Sequence, residues 1–440
     1  MKPNPQLVLL KLLLILAMSS FAKADDWAQW RGPDRTGLSK ETGLAKQWPA
    51  KGPDVVWNVD HVGQGYSAVA VRGDRLFTLG NIDGQGFVLC LNTENGSVIW
   101  KTHPPTETEE YHHSRGNGAR GTPTLDGDLL FTIGGGGDLT CLKADSGSVV
   151  WSKHFVNDFG GSRPEWGFSE SPLVDGEKLI VTPGGLDGCV VALNKKNGEL
   201  IWRSKDAADF AHYSSAILVE SNGIRQILQF TSGGGKRGGG RRNSSEPVEP
   251  KTPENAISPR IISLDAKTGR LLWSYDKSAN GTANVATPIF HDDKVFSSSA
   301  YSTGGGLVKL AKNSGGFTAE EVYFEKKMAN HHGGIVLVDG YLYGFGSGGL
   351  ICMKFDTGEI AWQARSVSKG SIFYADGFLY CYGENHEMAL VAANPKEYIE
   401  KGRFEVPSGD QSTWAHPVVA NGRMYLRDMQ RLTCYDVKAK

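Results

Sequence analysis

Apolar and polar positions along this chain repeat as a unit of about fifty residues, and one ten-residue pattern returns in most units. It runs Leu91 to Trp100 (LNTENGSVIW), Leu142 to Trp151 (LKADSGSVVW) and Leu193 to Trp202 (LNKKNGELIW). It returns as Leu264 to Trp273 (LDAKTGRLLW) and Met353 to Trp362 (MKFDTGEIAW). Trp100, Trp151 and Trp202 are spaced by 51 and 51 residues, Trp273 follows after 71 and Trp362 after 89. Each cassette predicts a strand, a tight turn and a strand. The aligned Gly at 96, 147, 198, 269 and 358 supplies the positive φ that the turn needs. Runs such as Val98-Ile99-Trp100 and Leu271-Leu272-Trp273 are apolar at consecutive positions, which predicts a sheet covered on both faces.

A second hairpin precedes each cassette, as in Thr122 to Phe131 and Ser171 to Ile180, so each unit holds four strands. Stacked four-stranded units of this length predict an all-β fold, an eight-bladed β-propeller of antiparallel blades. Trp57, Trp100, Trp151, Trp202, Trp273 and Trp362 are read as structural repeat residues, with Phe324 and Phe404 at the same place in two degenerate units. The eighth unit, from Trp414 to Val437, holds only three strands, and Trp57 stands in an orphan strand, Val55 to Val59. The N-terminal strand is therefore expected to pair with the C-terminal blade, beside Cys434 and Tyr435, and so remove an open sheet edge.

The pattern divides the chain into a leader, a strap and a ring. In residues 1–24, Lys2 and Lys11 accompany an apolar run from Leu7 to Met18, and Ala22-Lys23-Ala24 has the form of a signal-peptidase site. An exported chain, periplasmic or secreted, is expected, with no transmembrane segment after cleavage, because the run is short. Residues 25–54 carry Trp27 and Trp30 and are read as an aromatic-anchored strap on one face of the disc; the propeller is 55–440. Residues 233–257 are rich in Gly, Ser, Pro and charge and are read as a mobile insertion in the fourth blade.

Composition narrows the function. Gly is 56 of 440, as a turn-rich chain requires, and the net charge of −1 argues against a nucleic-acid partner. The six cysteines fall mostly at equivalent strand positions of different blades, which predicts small buried side chains rather than disulfides. Only Cys352 with Cys381, on neighbouring blades, invites a check.

In a propeller the segments leading into the innermost strands converge on one mouth of the axial channel. Arg120, Glu170, His212, Asn284, His332, Lys369, Trp414 and His416 occupy those segments and are the candidate ligand-binding residues. Gly121 and Gly333-Gly334 are read as leaving room for a ligand. No metal site is assigned. His112-His113 and His331-His332 are adjacent pairs, which on a strand point apart, and the Glu384 to Glu387 stretch reads as a solvated hairpin tip.

The cassettes, LDAKTGRLLW above all, resemble the repeats of the pyrroloquinoline quinone (PQQ)-type propeller superfamily over nearly the whole span from Val55 to Val437. The leader Trp27-Ala28-Gln29-Trp30-Arg31-Gly32-Pro33 resembles that of exported bacterial propellers with this repeat. The resemblance implies a propeller and two kinds of activity, because the superfamily includes quinoprotein dehydrogenases and the non-enzymatic outer-membrane assembly propeller. This chain has no vicinal Cys-Cys pair and no Cys-x-x-Cys-His segment. The expectation is a non-catalytic, cofactor-free, monomeric scaffold in the cell envelope that binds an envelope protein or a small polar ligand. The alternative is an alcohol or sugar dehydrogenase using PQQ with Ca²⁺.

Overall fold

A computed structural model describes residues 26–106, 117–233, 257–407, 409 and 411–440. The leader 1–24, His112-His113 and nearly all of the insertion lie outside the described residues. Among the described residues thirty-two strands, β1 to β32 in chain order, form eight four-stranded antiparallel sheets. Blade 1 is β2 to β5, from Ala70–Arg72 to Val98–Thr102, and blades 2 to 7 follow in fours up to β29 (Glu400–Glu405). Blade 8 takes β30 (Val418–Ala420), β31 (Arg423–Asp428) and β32 (Arg431–Asp436) from the C-terminus and β1 (Asp54–Val59) from the N-terminus. The register sets Val55 opposite Tyr435 and Trp57 opposite Cys434. Among the described residues one short helix, α1 (Phe155–Phe159), interrupts the β structure.

Local chemistry explains each hairpin. At the inner turns Asn222-Gly223, Asp339-Gly340, Asp376-Gly377 and Asn421-Gly422, both central residues have positive φ. That is the type I′ turn, whose twist matches the strands it joins. In the cassettes the Gly also makes an inter-blade contact. A Cβ on Gly147 would lie 2.5 Å from Trp100, one on Gly198 2.8 Å from Trp151, and one on Gly269 2.4 Å from Trp202. Trp100, Trp151 and Trp202 thus lie on the turn of the next blade, whereas the Trp273 indole donates to Gln226 of its own blade. Trp57, Trp100, Trp151 and Trp362 donate their indole N–H to a carbonyl of the next blade, at Thr93, Ala144, Lys195 and Asn394. In blade 5 this place belongs to Tyr323 rather than to Phe324. Gly358 packs on the Tyr323 ring, whose hydroxyl donates to the Phe355 carbonyl at 2.7 Å.

The outer strands are wetter than the sequence suggests. Their pairing slips by one residue at the same place in blade after blade, as between Cys90 and Leu91 or Cys141 and Leu142. The bulge puts two consecutive apolar side chains outward, leaving Val98 40% and Ile99 43% exposed. The expectation of a sheet covered on both faces fails there for that reason. It holds for the inner three strands, which are buried almost throughout.

Arg427 clamps the closure. Its fully buried guanidinium donates to the carbonyls of Ser67, Leu79, Gly63 and Met429 and to the Thr78 hydroxyl, tying blade 8 to blade 1. The root of the insertion is also held. Arg260 pairs with the fully buried Asp209 at 2.9 Å, and Asp209 accepts from the Thr231 hydroxyl at 2.8 Å. All six cysteines are buried and free, Cys352 and Cys381 included.

The strap does more than lie on one face. Its ends are tied to turns at one end of the inner strands, where Gly73 donates to Asp26 and Gly422 donates to Glu41. Between them the chain rises into the axial channel and bonds to every blade. Backbone bonds join Trp27 to Val71, Ala28 to Leu125 and Gly37 to Tyr374. The Trp30 indole donates to Thr287, Arg31 to the Ile335 carbonyl, and Arg35 to the carbonyls of Ser171, Pro172 and Ala216. The strap is a plug that fills the channel from below. Among the described residues no helix is long and apolar enough to cross a membrane.

Candidate functional site

The other mouth stays open, as a cavity of about 920 Å³. All eight segments leading into innermost strands contribute to its wall, from Tyr66 before blade 1 to Trp414 before blade 8. Turns between second and third strands add Tyr301, Gly348 and Glu384, and Trp30 of the plug reaches it from beneath.

One side is aromatic and cationic. The Arg120 guanidinium lies over the rings of Tyr66 (4.7 Å) and Trp414 (5.3 Å), which contact each other at 4.7 Å. Such a stack holds the guanidinium in place. Trp166 and Tyr213 form a further aromatic wall, their rings 5.3 Å apart. Arg365 and Lys369 add positive charge.

The other side is a polar cluster. One Glu384 oxygen accepts from the Trp414 indole at 2.7 Å and from the Lys369 ammonium at 2.9 Å. His332 Nδ1 is 3.5 Å from that oxygen and 3.0 Å from His331 Nδ1, and His331 Nε2 faces the Tyr301 hydroxyl at 2.9 Å. His416 donates to the His332 carbonyl at 2.9 Å while Trp30 packs on its edge. Burial keeps these imidazoles neutral. It pulls His331 down to about 4, helped by Lys369, and His416 down to about 3, helped by Arg31. His332 is pushed well below the usual range by burial, with the charges of His331, Lys369 and His416 adding to it.

Of the candidate residues, Arg120, His332, Lys369, Trp414 and His416 line the cavity. Glu170, His212 and Asn284 lie behind its wall. Glu170 is 3% exposed and accepts the Thr182 backbone N–H, and burial raises its carboxyl to about 7. The reason is close packing, since a Cβ on Gly121 would meet the Glu170 carbonyl at 2.3 Å. His212 accepts the Asn284 N–H at 3.1 Å, and Asn284, with no exposure, bonds to Thr231 and Asn280. Of the other glycines, Gly333 lines the cavity while abutting the Gly370 carbonyl, and Gly334 abuts Arg31 behind the wall.

The sequence reasoning passed over Glu384 as a solvated tip and His331 as pointing away from His332. Both follow from irregular backbone. His331-His332 sits in a bend rather than a strand, so alternation does not apply. Glu384 lies in the turn between the strands Phe378–Gly383 and Glu387–Ala392, which shares the cavity's end of the blades. The signal available was topological: that turn and the segments before inner strands face the same way.

The quinone alternative requires a Ca²⁺ site, and Ca²⁺ takes six to eight oxygen ligands. Among the described residues Glu384 is the one carboxylate on the cavity wall, and it is already engaged by an ammonium and an indole. The cysteines lie in the buried clusters of the blades. The donor set does not fit a Ca²⁺-bound quinone.

Comparison with known proteins agrees with this architecture. Over 214 residues the chain is 22% identical to tetrathionate hydrolase of Acidithiobacillus ferrooxidans, a match spanning 48% of this chain but only 36% of that protein. The crystal structure of BamB from Moraxella catarrhalis superposes with a TM-score of 0.59 at 15% identity, covering 88% of this chain and 98% of that one. The quinohemoprotein alcohol dehydrogenase of Comamonas testosteroni gives 0.62 at 13% identity, covering 97% and 82%. At these identities the likeness is one of fold. The family described as outer membrane protein assembly factor BamB matches residues 112–364 and 251–397, more than half of the chain, and the chain belongs to that family.

Proposed function

We propose that this chain is an exported, non-catalytic propeller of the cell envelope whose axial cavity binds a small organic anion. The fold does not decide between binding and catalysis, since its solved neighbours include an assembly factor and alcohol dehydrogenases. The carrying observation is the cavity's composition: eight blades and a plug enclose about 920 Å³, with Arg120 lying over two aromatic rings that contact each other and Lys369 on the same wall. A bidentate fork on an aromatic platform suits a carboxylate or an oxyanion attached to an apolar body. The pattern of residues 1–24 supports export.

The test is calorimetric titration of the full chain with a panel of small di- and tricarboxylates, sulfonates and acidic sugars. Arg120→Ala is expected to weaken the best binder by roughly 1.5–3 kcal/mol, the range for a hydrogen bond to a charged group, with an unchanged melting temperature. Failure of every anion to bind, or an Arg120→Ala variant that binds as well, would overturn the reading.

A protein partner is a second reading, favoured by the rim. Val98, Ile99, Val149, Val150, Leu200 and Ile201 are each about two-fifths to one-half exposed, one pair on the outer strand of each of three consecutive blades. Exposed apolar surface, where it is contiguous, commonly marks contact with another protein. The family's printed description, an assembly factor, accords with it. Photo-crosslinking from positions 99 and 201 in intact cells should capture one common partner if these outer strands are used; labels that trap different proteins or none would count against it.

A further inference from the structure

The polar corner of the cavity contains a set of ligating atoms that the anion-binding reading does not use. One atom each from His331, His332 and Glu384 lies within 4.8 Å of the others. The two Nδ1 atoms are 3.0 Å apart, and His332 Nδ1 is 3.5 Å from the carboxylate. Two imidazole nitrogens this close need a proton or a cation between them, because their lone pairs repel. His331 Nε2 faces the Tyr301 hydroxyl at 2.9 Å. A neutral imidazole carries one N–H; with it on Nε2, the His331 Nδ1 lone pair points into the cluster. His332 is 8% exposed, and its Nε2 is buried with no hydrogen-bond partner. One proton on His332 Nδ1 bridges the two nitrogens; with that proton moved to Nε2, both Nδ1 lone pairs face the same point, which a cation can take.

We propose that His331, His332 and Glu384 form a site for a divalent transition-metal ion of the zinc class at the wall of the axial cavity. Imidazole with carboxylate suits zinc, iron, nickel and copper rather than Ca²⁺ or Mg²⁺. With metal–nitrogen bonds of about 2.1 Å, nitrogens 3.0 Å apart subtend roughly a right angle. Three protein ligands on one side leave the remaining coordination positions open to the cavity, as in metal sites that take an exogenous ligand. Outer partners are in place. Tyr301 faces the far nitrogen of His331, and the Trp414 indole N–H holds the carboxylate, as the outer contacts of metal ligands usually do. The bend itself is fixed, because Gly333 abuts the Gly370 carbonyl.

Lys369 is the competitor. Its ammonium takes the Glu384 oxygen at 2.9 Å, but the side chain is 46% exposed and free to swing into the cavity. Ammonium and metal compete for that oxygen and repel each other, so the lysine opposes entry of the ion. Released, it would stand beside the open positions, where an anion would meet both charges. That last step rests on the anion-binding reading; metal binding itself does not.

The experiment uses the full chain, stripped with chelator and titrated with Zn²⁺ alone, with Co²⁺ as a spectroscopic probe. One Zn²⁺ per chain is expected, with Co²⁺ giving visible d–d absorption. His331→Ala and Glu384→Gln should each weaken Zn²⁺ by about 10- to 100-fold or more while melting like the parent. Lys369→Met should tighten it, since the competing ammonium is gone. Substoichiometric Zn²⁺, equal binding by folded His331→Ala and Glu384→Gln, or an unchanged affinity in Lys369→Met would each overturn the proposal. No anion is present in these titrations, so their failure and that of the anion-binding reading are separately visible.

Discussion

Glu170 shows how a residue can be chemically unusual and still lie outside the site. Its carboxyl is raised to about 7 by burial, from an ordinary value of 4.5, with the Thr182 N–H and Arg35 only partly offsetting the effect. A raised folded pKa means that the native state holds the proton more tightly than the unfolded chain. The stabilisation is complete below about pH 4.5 and is lost as pH climbs through 7. Gln keeps the neutral shape at all pH values. Glu170→Gln should therefore flatten the fall in unfolding free energy between pH 5 and pH 8, read by denaturant titration at each pH. His212 works in the opposite sense. Burial lowers it to about 4, so its contribution is present above about 6.5 and is lost as pH falls through 4. The acid limb of the profile should survive in the Glu170 variant. Neither residue's environment was legible in the sequence. Glu170 and His332 occupy equivalent segments before innermost strands, yet one faces the wall and the other the cavity. These segments lack the period-two alternation that fixes which way a strand residue faces.

Among the elements, the cassette is the unit that the sequence made plain, because its Gly and Trp serve one contact and so recur together. Gly269 has φ +75°, and an added Cβ would sit 2.4 Å from Trp202. Gly269→Ala should cost about 1–2 kcal/mol from the left-handed backbone alone, and more from the displaced ring. Trp202, 9% exposed, should cost about 3–5 kcal/mol on truncation to Ala. The two effects should not add: with the ring removed, the Gly269→Ala penalty should shrink toward its backbone component. A double-mutant cycle by urea unfolding measures this, and simple additivity would show that the turn and the ring act independently. Blade 5 was less legible, because its long strands β20 (Gly304–Asn313) and β21 (Gly316–Glu325) lack the cassette and Tyr323 takes the Trp's place. The wet outer strands escaped prediction because a bulge is a defect in pairing, and pairing partners are far apart in sequence.

For the whole molecule, the ring count and its closure were legible as a deficit at one end matched by an orphan strand at the other. The plug was not, since its bonds run mainly to backbone carbonyls and amides, which have no sequence signature. Both ends of the chain complete the same body. Removing residues 431–440, which takes away β32, should lower the melting temperature as severely as removing 25–60, which takes away the plug and β1. Circular dichroism melts and limited proteolysis would read this, and a C-terminal truncation that melts like the parent would contradict the closure.

That closure also imposes an order in time. Glu41 meets the Gly422 backbone 381 positions away, and Lys440 meets Asp54 across 386. Residues near Glu41 and Asp54 thus wait, as the chain emerges, for partners more than 380 positions later. Until then Trp57 and the hydrogen-bonding edge of β1 have no lasting partner, and the entropy of closing so long a loop is borne in the final step. A half-made chain of this protein is a sticky one, and its maturation in a cell is expected to depend on helpers that shield an open strand until synthesis ends.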